Sequence, residues 1–194
     1  MNRFSFTSAS APVLAAALLL AGCAGAPGGG AGVLMSFPAK KPELRCNSNG
    51  VCSIKVYARI APGGGCEVMP EYEDVRIGKH PQTGEPFKPK MRWKIDSIDP
   101  GHAYDYRFAF RPGASPPVYG IEIHGNNPTL DFDKPDHDVN GMGAKDITTF
   151  KWDNKHGRSL PRDPFLYDLN VERSPHNQDT WSACARVDPK MYND

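Results

Sequence analysis

Polar and apolar side chains alternate along many short segments of this chain, and the alternation limits the folds that it can adopt. Segment 54–60 reads I-K-V-Y-A-R-I and segment 91–96 reads M-R-W-K-I-D. A period of two is typical of a β-strand with one buried face. The same period occurs in further segments, namely 104–111, 119–124, 150–153 and 165–172, with shorter candidates at 75–77, 130–132 and 182–187. No segment shows helical spacing over three turns, so the sequence predicts an all-β domain.

Gly- and Pro-rich clusters separate the predicted strands, for example at 62–65, 100–101, 112–113 and 125–128. Many short strands with one polar face, joined by such loops, predict an antiparallel two-sheet β-sandwich with Greek-key connections. In general architecture this resembles immunoglobulin-like sandwiches. The spacing of Cys66, Trp93 and Cys184 does not match a true immunoglobulin domain, so the resemblance covers architecture alone.

The first residues have the layout of a secretory signal, with a basic Arg3, an apolar run at 13–20 and small residues after it. The apolar run is shorter than the roughly 20 residues that a membrane-spanning helix needs. Leu20-Ala21-Gly22-Cys23 then resembles the lipobox of bacterial lipoproteins, in which a branched apolar residue and two small residues precede a cysteine. The resemblance implies cleavage before Cys23 and lipidation of its thiol. Several acyl chains on one cysteine anchor a protein stably to a membrane.

The same resemblance implies a location in the cell envelope. In the family that the lipobox resembles, an Asp directly after the lipidated cysteine is the signal for retention at the inner membrane. Ala24 occupies that position here, so we expect the outer membrane, with the domain facing the periplasm. Ordinary secretion is the alternative, because Ala24-Gly25-Ala26 also satisfies the small-x-small rule for signal cleavage. We expect a signal peptide at 1–22, a flexible Gly-rich tether at 23–42 and the sandwich domain at 43–194. Docking of segment 33–37 on the domain is the alternative for the tether.

The net charge limits the classes of partner, and the chain length limits the number of domains. The chain contains 23 Lys+Arg and 22 Asp+Glu, so it is close to neutral and lacks the basic excess of a nucleic-acid-binding protein. The roughly 150 residues after the tether are enough for one domain with one core. We therefore expect no nucleic acid partner.

Four cysteines follow Cys23, and an even number in an exported chain favours disulfides. Cys46 and Cys52 bracket an Asn-Gly turn at 49–50, which favours a hairpin that places the two thiols across from each other. The sequence thus predicts a Cys46–Cys52 bridge and, by elimination, a Cys66–Cys184 bridge that closes a long loop.

An acidic segment at 131–146 is the strongest candidate for a metal site. From Asp136 it reads D-x-D-x-N-G, which resembles the first half of a calcium loop, with Asp136, Asp138 and Asn140 as oxygen ligands. The bidentate Glu of such loops is missing, because Ile147 occupies its position and Asp146 lies one residue early. We expect a solvated loop between strands, with weak calcium binding as the alternative.

Catalytic motifs are lacking. The six histidines do not have H-x-x-x-H or H-E-x-x-H spacing, which argues against catalytic zinc, and no blue-copper pattern surrounds Cys184. No G-x-S-x-G elbow occurs, and no thiol remains outside the predicted bridges and Cys23. The sequence therefore favours a protein that is not an enzyme and needs no cofactor.

Aromatic residues offer a further route to function. Trp93, Trp152, Phe108 and Phe110 fall on alternating apolar faces, so we expect them in the core. A second set of aromatic residues could form an exposed ligand-stacking patch, and its members are Tyr57, Tyr72, Tyr119, Trp181 and Tyr192. For Trp181 we expect packing near a disulfide instead. The leading hypothesis is a lipid-anchored, non-catalytic binding or structural protein of the envelope with a protein or glycan partner. The alternatives are a calcium-stabilised binding domain and an envelope hydrolase.

Overall fold

The computed structural model describes residues 36–125, 128, 131–139, 142–155, 164–185, 187 and 189–193. These residues belong to one compact unit, Gly32–Asp194. The predicted signal peptide, Cys23 and most of the predicted tether lie outside the described residues. Strand β1 begins at Lys41, two residues before the predicted start of the domain.

The described part of the chain is all-β, as the alternation predicts. The strands are β1 (Lys41–Cys46), β2 (Val51–Ile60), β3 (Cys66–Pro70), β4 (Tyr72–Ile77), β5 (Lys90–Ser97), β6 (Tyr104–Phe108), β7 (Ile121–His124), β8 (Phe132–Val139), β9 (Lys145–Asn154), β10 (Phe165–Leu169), β11 (Val171–Pro175), β12 (Ser182–Ala183) and β13 (Lys190–Asn193). A short 3₁₀ turn, Pro100–His102, precedes β6.

Three sheets pack together as a β-sandwich. Sheet 1 has the order β1-β4-β13-β10-β7, sheet 2 has the order β12-β11-β6, and sheet 3 has the order β3-β2-β5-β9-β8. The Trp93 ring of sheet 3 packs on Tyr167 of sheet 1, with ring centroids 5.6 Å apart. Phe150 of sheet 3 packs on Phe108 of sheet 2, with centroids 5.9 Å apart. Sheet 3 thus contacts both other sheets through one aromatic core.

Sheets 1 and 3 are mixed and sheet 2 is antiparallel, whereas the sequence suggested antiparallel pairing throughout. Strands β1 and β13 both run parallel to β4, and β2 runs parallel to β5. Strand direction depends on how distant segments pair, and the alternation of side chains is the same in both directions. A second difference concerns segment 165–172, which splits at Asn170 into β10 of sheet 1 and β11 of sheet 2.

Both predicted disulfides are present. Cys46 joins Cys52 with Cα atoms 5.7 Å apart, and Cys66 joins Cys184 with Cα atoms 4.6 Å apart, separations that are usual for disulfides. The predicted hairpin between Cys46 and Cys52 is wrong, however. Strand β1 pairs with β4, and β2 pairs with β3 and β5, so the chain crosses from sheet 1 to sheet 3 at this turn. The bridge spans this crossing.

Candidate functional site

Most of the predicted calcium segment is strand, and among its described residues only Asp131 and 142–144 lie outside β8 and β9. Phe132–Val139 forms β8, which pairs with β9 in antiparallel register and has an irregularity between Asp133 and Asp136. The polar residues that resembled oxygen ligands lie at alternate positions because side chains in a strand repeat every two residues, and β8 lies at the edge of sheet 3. The loop prediction failed because many Asp residues lower strand propensity, and tertiary pairing outweighs this preference.

Cations pair with the acidic side chains of β8. Asp136 Oδ1 lies 2.8 Å from Lys145 Nζ, while Asp138 Oδ2 lies 2.6 Å from a guanidinium nitrogen of Arg92. The Lys151 ammonium lies 3.6 Å from Oδ1 of Asp138. Burial acts to raise the pKa of Asp136, but the hydrogen bond and charge of Lys145 and the backbone hydrogen bond from His137 together hold the pKa below its ordinary value.

Asp146, the last predicted calcium ligand, faces Asp138 in the β8–β9 register. Its carboxylate accepts hydrogen bonds from the backbone N–H and hydroxyl of Thr148, at 3.0 and 2.6 Å, and from the Thr149 hydroxyl at 2.8 Å. Burial acts to raise the pKa of Asp146, and these hydrogen bonds lower it overall. Asn140 lies outside the described residues. Calcium binding here stays a prediction.

An open cleft of about 430 Å³ contains two partly exposed aromatic rings, Tyr104 and Trp181. We call it the aromatic cleft, and its lining residues come from the ends of β5, β6 and β9 and from the segment after β11: Ile95, Ser97, His102, Tyr104, Asp105, Tyr106, Ile147, Thr148, His176 and Trp181. Its volume falls in the range of about 300–1,000 Å³ that small-molecule sites usually occupy.

Arginines hold both rings of the aromatic cleft. The Arg107 guanidinium lies 4.0 Å from the Trp181 ring centroid, and Arg173 lies 5.0 Å from that of Tyr104. The Trp181 indole N–H also donates a 2.5 Å hydrogen bond to Asp179. Such contacts fix the ring orientations before any ligand arrives.

The polar side of the aromatic cleft contains a histidine–carboxylate pair. His176 Nδ1 lies 3.0 Å from Asp105 Oδ1. The hydrogen bond to His176 is the largest influence on Asp105 and lowers the pKa of its carboxyl below the ordinary value. Ser97 and Thr148 contribute hydroxyl groups to the same lining.

A second group of polar side chains lies on β7 and β10. Glu122, His124 and Asp168, which we call the carboxylate–histidine cluster, bring one potential ligand atom each within 4.8 Å of one another. His124 Nε2 lies 2.5 Å from Asp168 Oδ2, and the side chains of these residues are 43% and 4% exposed. The cluster is therefore buried on the Asp168 side and open on the His124 side.

Glu122 also lines a neighbouring cavity of about 230 Å³. The other lining residues are mostly apolar: Pro116, Pro117, Tyr119, Ile123, Pro128, Phe132 and Trp152. The Trp152 indole N–H donates a 2.9 Å hydrogen bond to the Ile121 carbonyl.

The sequence placed the core aromatics correctly. Trp93 and Phe108 are fully buried, Trp152 is 8% exposed, and Phe110 is partly buried against the same core. The predicted surface patch does not form as one unit, since Trp181 lines the aromatic cleft while Tyr119 lines the apolar cavity.

Comparison with known proteins assigns no function to the chain, so the function is inferred from the geometry of the sites. No model of a known protein family matches the chain, and no curated protein matches it in sequence. In the described part of the chain, no helix has the length and apolar character needed to cross a membrane.

The carboxylate–histidine cluster was missed because its residues come from strands more than 40 positions apart. A partial signal existed, because Glu122 and His124 alternate with Ile121 and Ile123 and must share one face of their strand. Nothing in the sequence indicates that β10 pairs with β7 and places Asp168 on the same face.

Proposed function

We propose that the chain is a lipid-anchored protein of the bacterial envelope whose sandwich domain binds a glycan in the aromatic cleft without catalysing a reaction. The aromatic cleft is the observation that carries this proposal. The lipobox at Leu20-Ala21-Gly22-Cys23 supports the anchor and the compartment. A glycan is the class of partner whose chemistry fits the lining of the cleft.

The lining of the aromatic cleft suits a sugar because it combines flat apolar rings with hydrogen-bonding groups. The C–H face of a sugar ring can stack on Tyr104 or Trp181, which are amphipathic surfaces of low conformational entropy. Asp105, His102 and His176 offer acceptors and donors for sugar hydroxyls. A volume of about 430 Å³ accommodates one or two sugar rings.

Rigid ring positions favour binding further. Arg107, which covers Trp181, lies 2.9 Å from Glu172 in an ion pair, and Arg173 donates hydrogen bonds to the Gly64 and Gly65 carbonyls. The stacking surfaces therefore need little ordering when a ligand binds, which improves affinity.

The test of the glycan proposal is a titration of the purified protein with soluble disaccharide fragments of the cell-wall glycan. Trp181→Ala should weaken binding about 30-fold, since truncating an aromatic hot spot costs about 2 kcal/mol or more. Tyr57→Ala, a partly exposed tyrosine of β2 outside the cleft, is the matched control and should leave affinity unchanged. Equal affinity in wild type and Trp181→Ala would refute the site, and no binding to any fragment would refute the ligand class.

The anchor is tested separately by Cys23→Ser. The lipobox hypothesis expects this variant to remain uncleaved or to leave the membrane fraction, because the Cys23 thiol is the proposed attachment point of the lipid. If Cys23→Ser is cleaved and still fractionates with membranes after salt washing, the anchor proposal is wrong while the cleft proposal stands.

An envelope hydrolase is the second candidate, and the His176–Asp105 pair in the aromatic cleft favours it. A serine- or threonine-based mechanism needs a hydroxyl within hydrogen-bond reach of the histidine. In the described residues, Thr148 donates to Asp146 instead, and neither it nor Ser97 hydrogen bonds to His176. Product formation from the same glycan fragments, abolished by His176→Ala, would favour the hydrolase over the binding protein.

A further inference from the structure

The carboxylate–histidine cluster has the geometry of a metal site, although the histidine spacing in the sequence argued against zinc. We propose that Glu122, His124 and Asp168 bind one divalent transition-metal ion, and that zinc fits their donor set best. The proposal is independent of glycan binding in the aromatic cleft, because it uses none of the cleft residues.

The register of two strands fixes the cluster. Glu122 and His124 lie two residues apart on β7, so their side chains share one face. In the antiparallel β7–β10 ladder, Asp168 pairs directly with Glu122, and His124 pairs with Leu166. The three side chains thus start from neighbouring backbone positions of a hydrogen-bonded sheet, which is a more rigid support than a loop.

The distances are close to those of a bound ion. Zinc lies about 2.0–2.2 Å from imidazole nitrogen and carboxylate oxygen, so ligand atoms in a tetrahedral site are about 3.4 Å apart. The three ligand atoms here lie within 4.8 Å of one another, and His124 Nε2 lies 2.5 Å from Asp168 Oδ2. To admit an ion, His124 Nε2 and Asp168 Oδ2 must move about 1 Å apart, and the His124 side chain, which is 43% exposed, is open to solvent on one side.

The charges favour a cation at this position. Glu122 and Asp168 are directly opposed carboxylates, an arrangement that destabilises a sheet by like-charge repulsion. Within the described residues, Glu122 makes no hydrogen bond or ion pair, whereas Asp136 and Asp138 in β8 each contact a lysine or an arginine. A divalent ion between Glu122 and Asp168 would remove the repulsion.

The donor set selects the kind of ion. Imidazole suits zinc and other transition metals, while calcium prefers six to eight oxygen ligands. Three protein ligands leave one tetrahedral position for water or a ligand group, as in zinc sites that keep an open position. The 43% exposure of the His124 side chain keeps this position accessible to solvent.

The test uses the full chain without an affinity tag, extracted in detergent, treated with chelator and dialysed. We expect zinc to bind at one ion per chain by calorimetric titration, and Co²⁺ to give a visible absorption spectrum at the same stoichiometry. Glu122→Gln and His124→Ala should each weaken zinc binding by at least about tenfold, since even groups that only support a metal ligand account for 10–100-fold. These two side chains are partly exposed, so both variants should fold.

The matched control is His176→Ala, which removes the histidine of a His–Asp pair that has no third ligand in the described residues. It should leave zinc affinity and the Co²⁺ spectrum unchanged. Zinc binding that is undetectable at millimolar concentration overturns the proposal. Binding that survives both Glu122→Gln and His124→Ala, or that His176→Ala abolishes, overturns it as well.

Discussion

The carboxylates of β8 each contact a lysine or an arginine, whereas in the carboxylate–histidine cluster Glu122 makes no ion pair within the described residues and lies directly opposite Asp168. Asp133 contacts Lys155, and Asp136 contacts Lys145. Glu122 and Asp168 both lie beside His124 in the cluster, and His124 Nε2 is 2.5 Å from Asp168 Oδ2. A high density of acidic residues along the sequence therefore does not by itself identify a metal site, because lysine and arginine side chains can pair with these residues in the folded domain.

The largest expected effect is a difference between zinc and calcium in thermal unfolding. Zinc at about 100 times its dissociation constant should raise the free energy of unfolding by about 2.7 kcal/mol, which is a Tm increase of about 5–11 °C for a domain of this size. Calcium near its dissociation constant should add only about 0.4 kcal/mol, or less than about 2 °C. Thermal unfolding in chelator, zinc and millimolar calcium measures both.

The combined variant Asp136→Asn and Asp138→Asn is the control for the zinc and calcium comparison. It should retain the zinc shift, because neither residue belongs to the carboxylate–histidine cluster. A calcium shift above about 10 °C that this variant abolishes would instead make the acidic segment the metal site of the domain.

The second prediction tests whether the acidic segment depends on its cations. Arg92→Met keeps the aliphatic stem but leaves Asp138, whose side chain is 11% exposed, without its closest cation. We expect a loss of about 1–3 kcal/mol in unfolding free energy, because a largely buried charged group loses a partner. Chemical denaturation measures this loss.

Lys55→Met is the matched control for Arg92→Met. Lys55 pairs with Asp96 at 3.4 Å, and both side chains are about half exposed, so its removal should cost less than about 1 kcal/mol. Equal losses in the two variants would contradict the claim that burial makes the Arg92–Asp138 pair important.

The comparison also shows which features of this domain the sequence could predict. Alternation predicted β2 and β5 because alternate residues from Cys52 to Ala58 and from Met91 to Ile95 are buried. The even cysteine count and the short Cys46–Cys52 separation led to both disulfides, although the hairpin expected between these two cysteines is not formed. These features depend on local pattern or on elimination among few possibilities. The edge strand β8 was missed because its acidic composition resembles a loop.

Pairing between distant strands could not be predicted from the alternation. The carboxylate–histidine cluster requires β10 to lie beside β7 in one register, and a shift of one residue would turn Asp168 to the opposite face. The aromatic cleft likewise needs Trp181 and Tyr104, which come from separate segments, to meet. Both sites are products of long-range topology.

The third prediction uses His137, the buried histidine of the acidic segment. Burial lowers its pKa below the ordinary 6.5, and its Nε2 lies 3.0 Å from the Phe108 carbonyl. The unfolded chain takes up a proton near pH 6.5 while the folded domain stays neutral there, so stability should fall as the pH drops below about 6.5. The lowered pKa values of Asp136 and Asp146 act only at lower pH, below about 4.

Denaturation curves between pH 5 and 7.5 measure this loss of stability. His137→Gln should be less dependent on pH in that range than the wild type, because the glutamine does not titrate and its amide can still donate to the Phe108 carbonyl. An unchanged pH profile in this variant would assign the effect to another group.

The smallest expected effect is a stabilisation, whereas removing one charged side chain of an ion pair usually lowers the free energy of unfolding. In the presence of chelator, Glu122→Gln should stabilise the domain by about 0.2–1 kcal/mol, because it removes a carboxylate directly opposite Asp168. Asp136→Asn makes the same chemical change in the acidic segment, yet it should destabilise by up to about 1 kcal/mol, because Asp136 has Lys145 as its partner. Thermal and chemical unfolding of the two metal-free variants measure both signs. Destabilisation by Glu122→Gln in chelator would show that Glu122 already has a favourable partner, and the argument from charge for an ion at this cluster would then be wrong even if zinc binds.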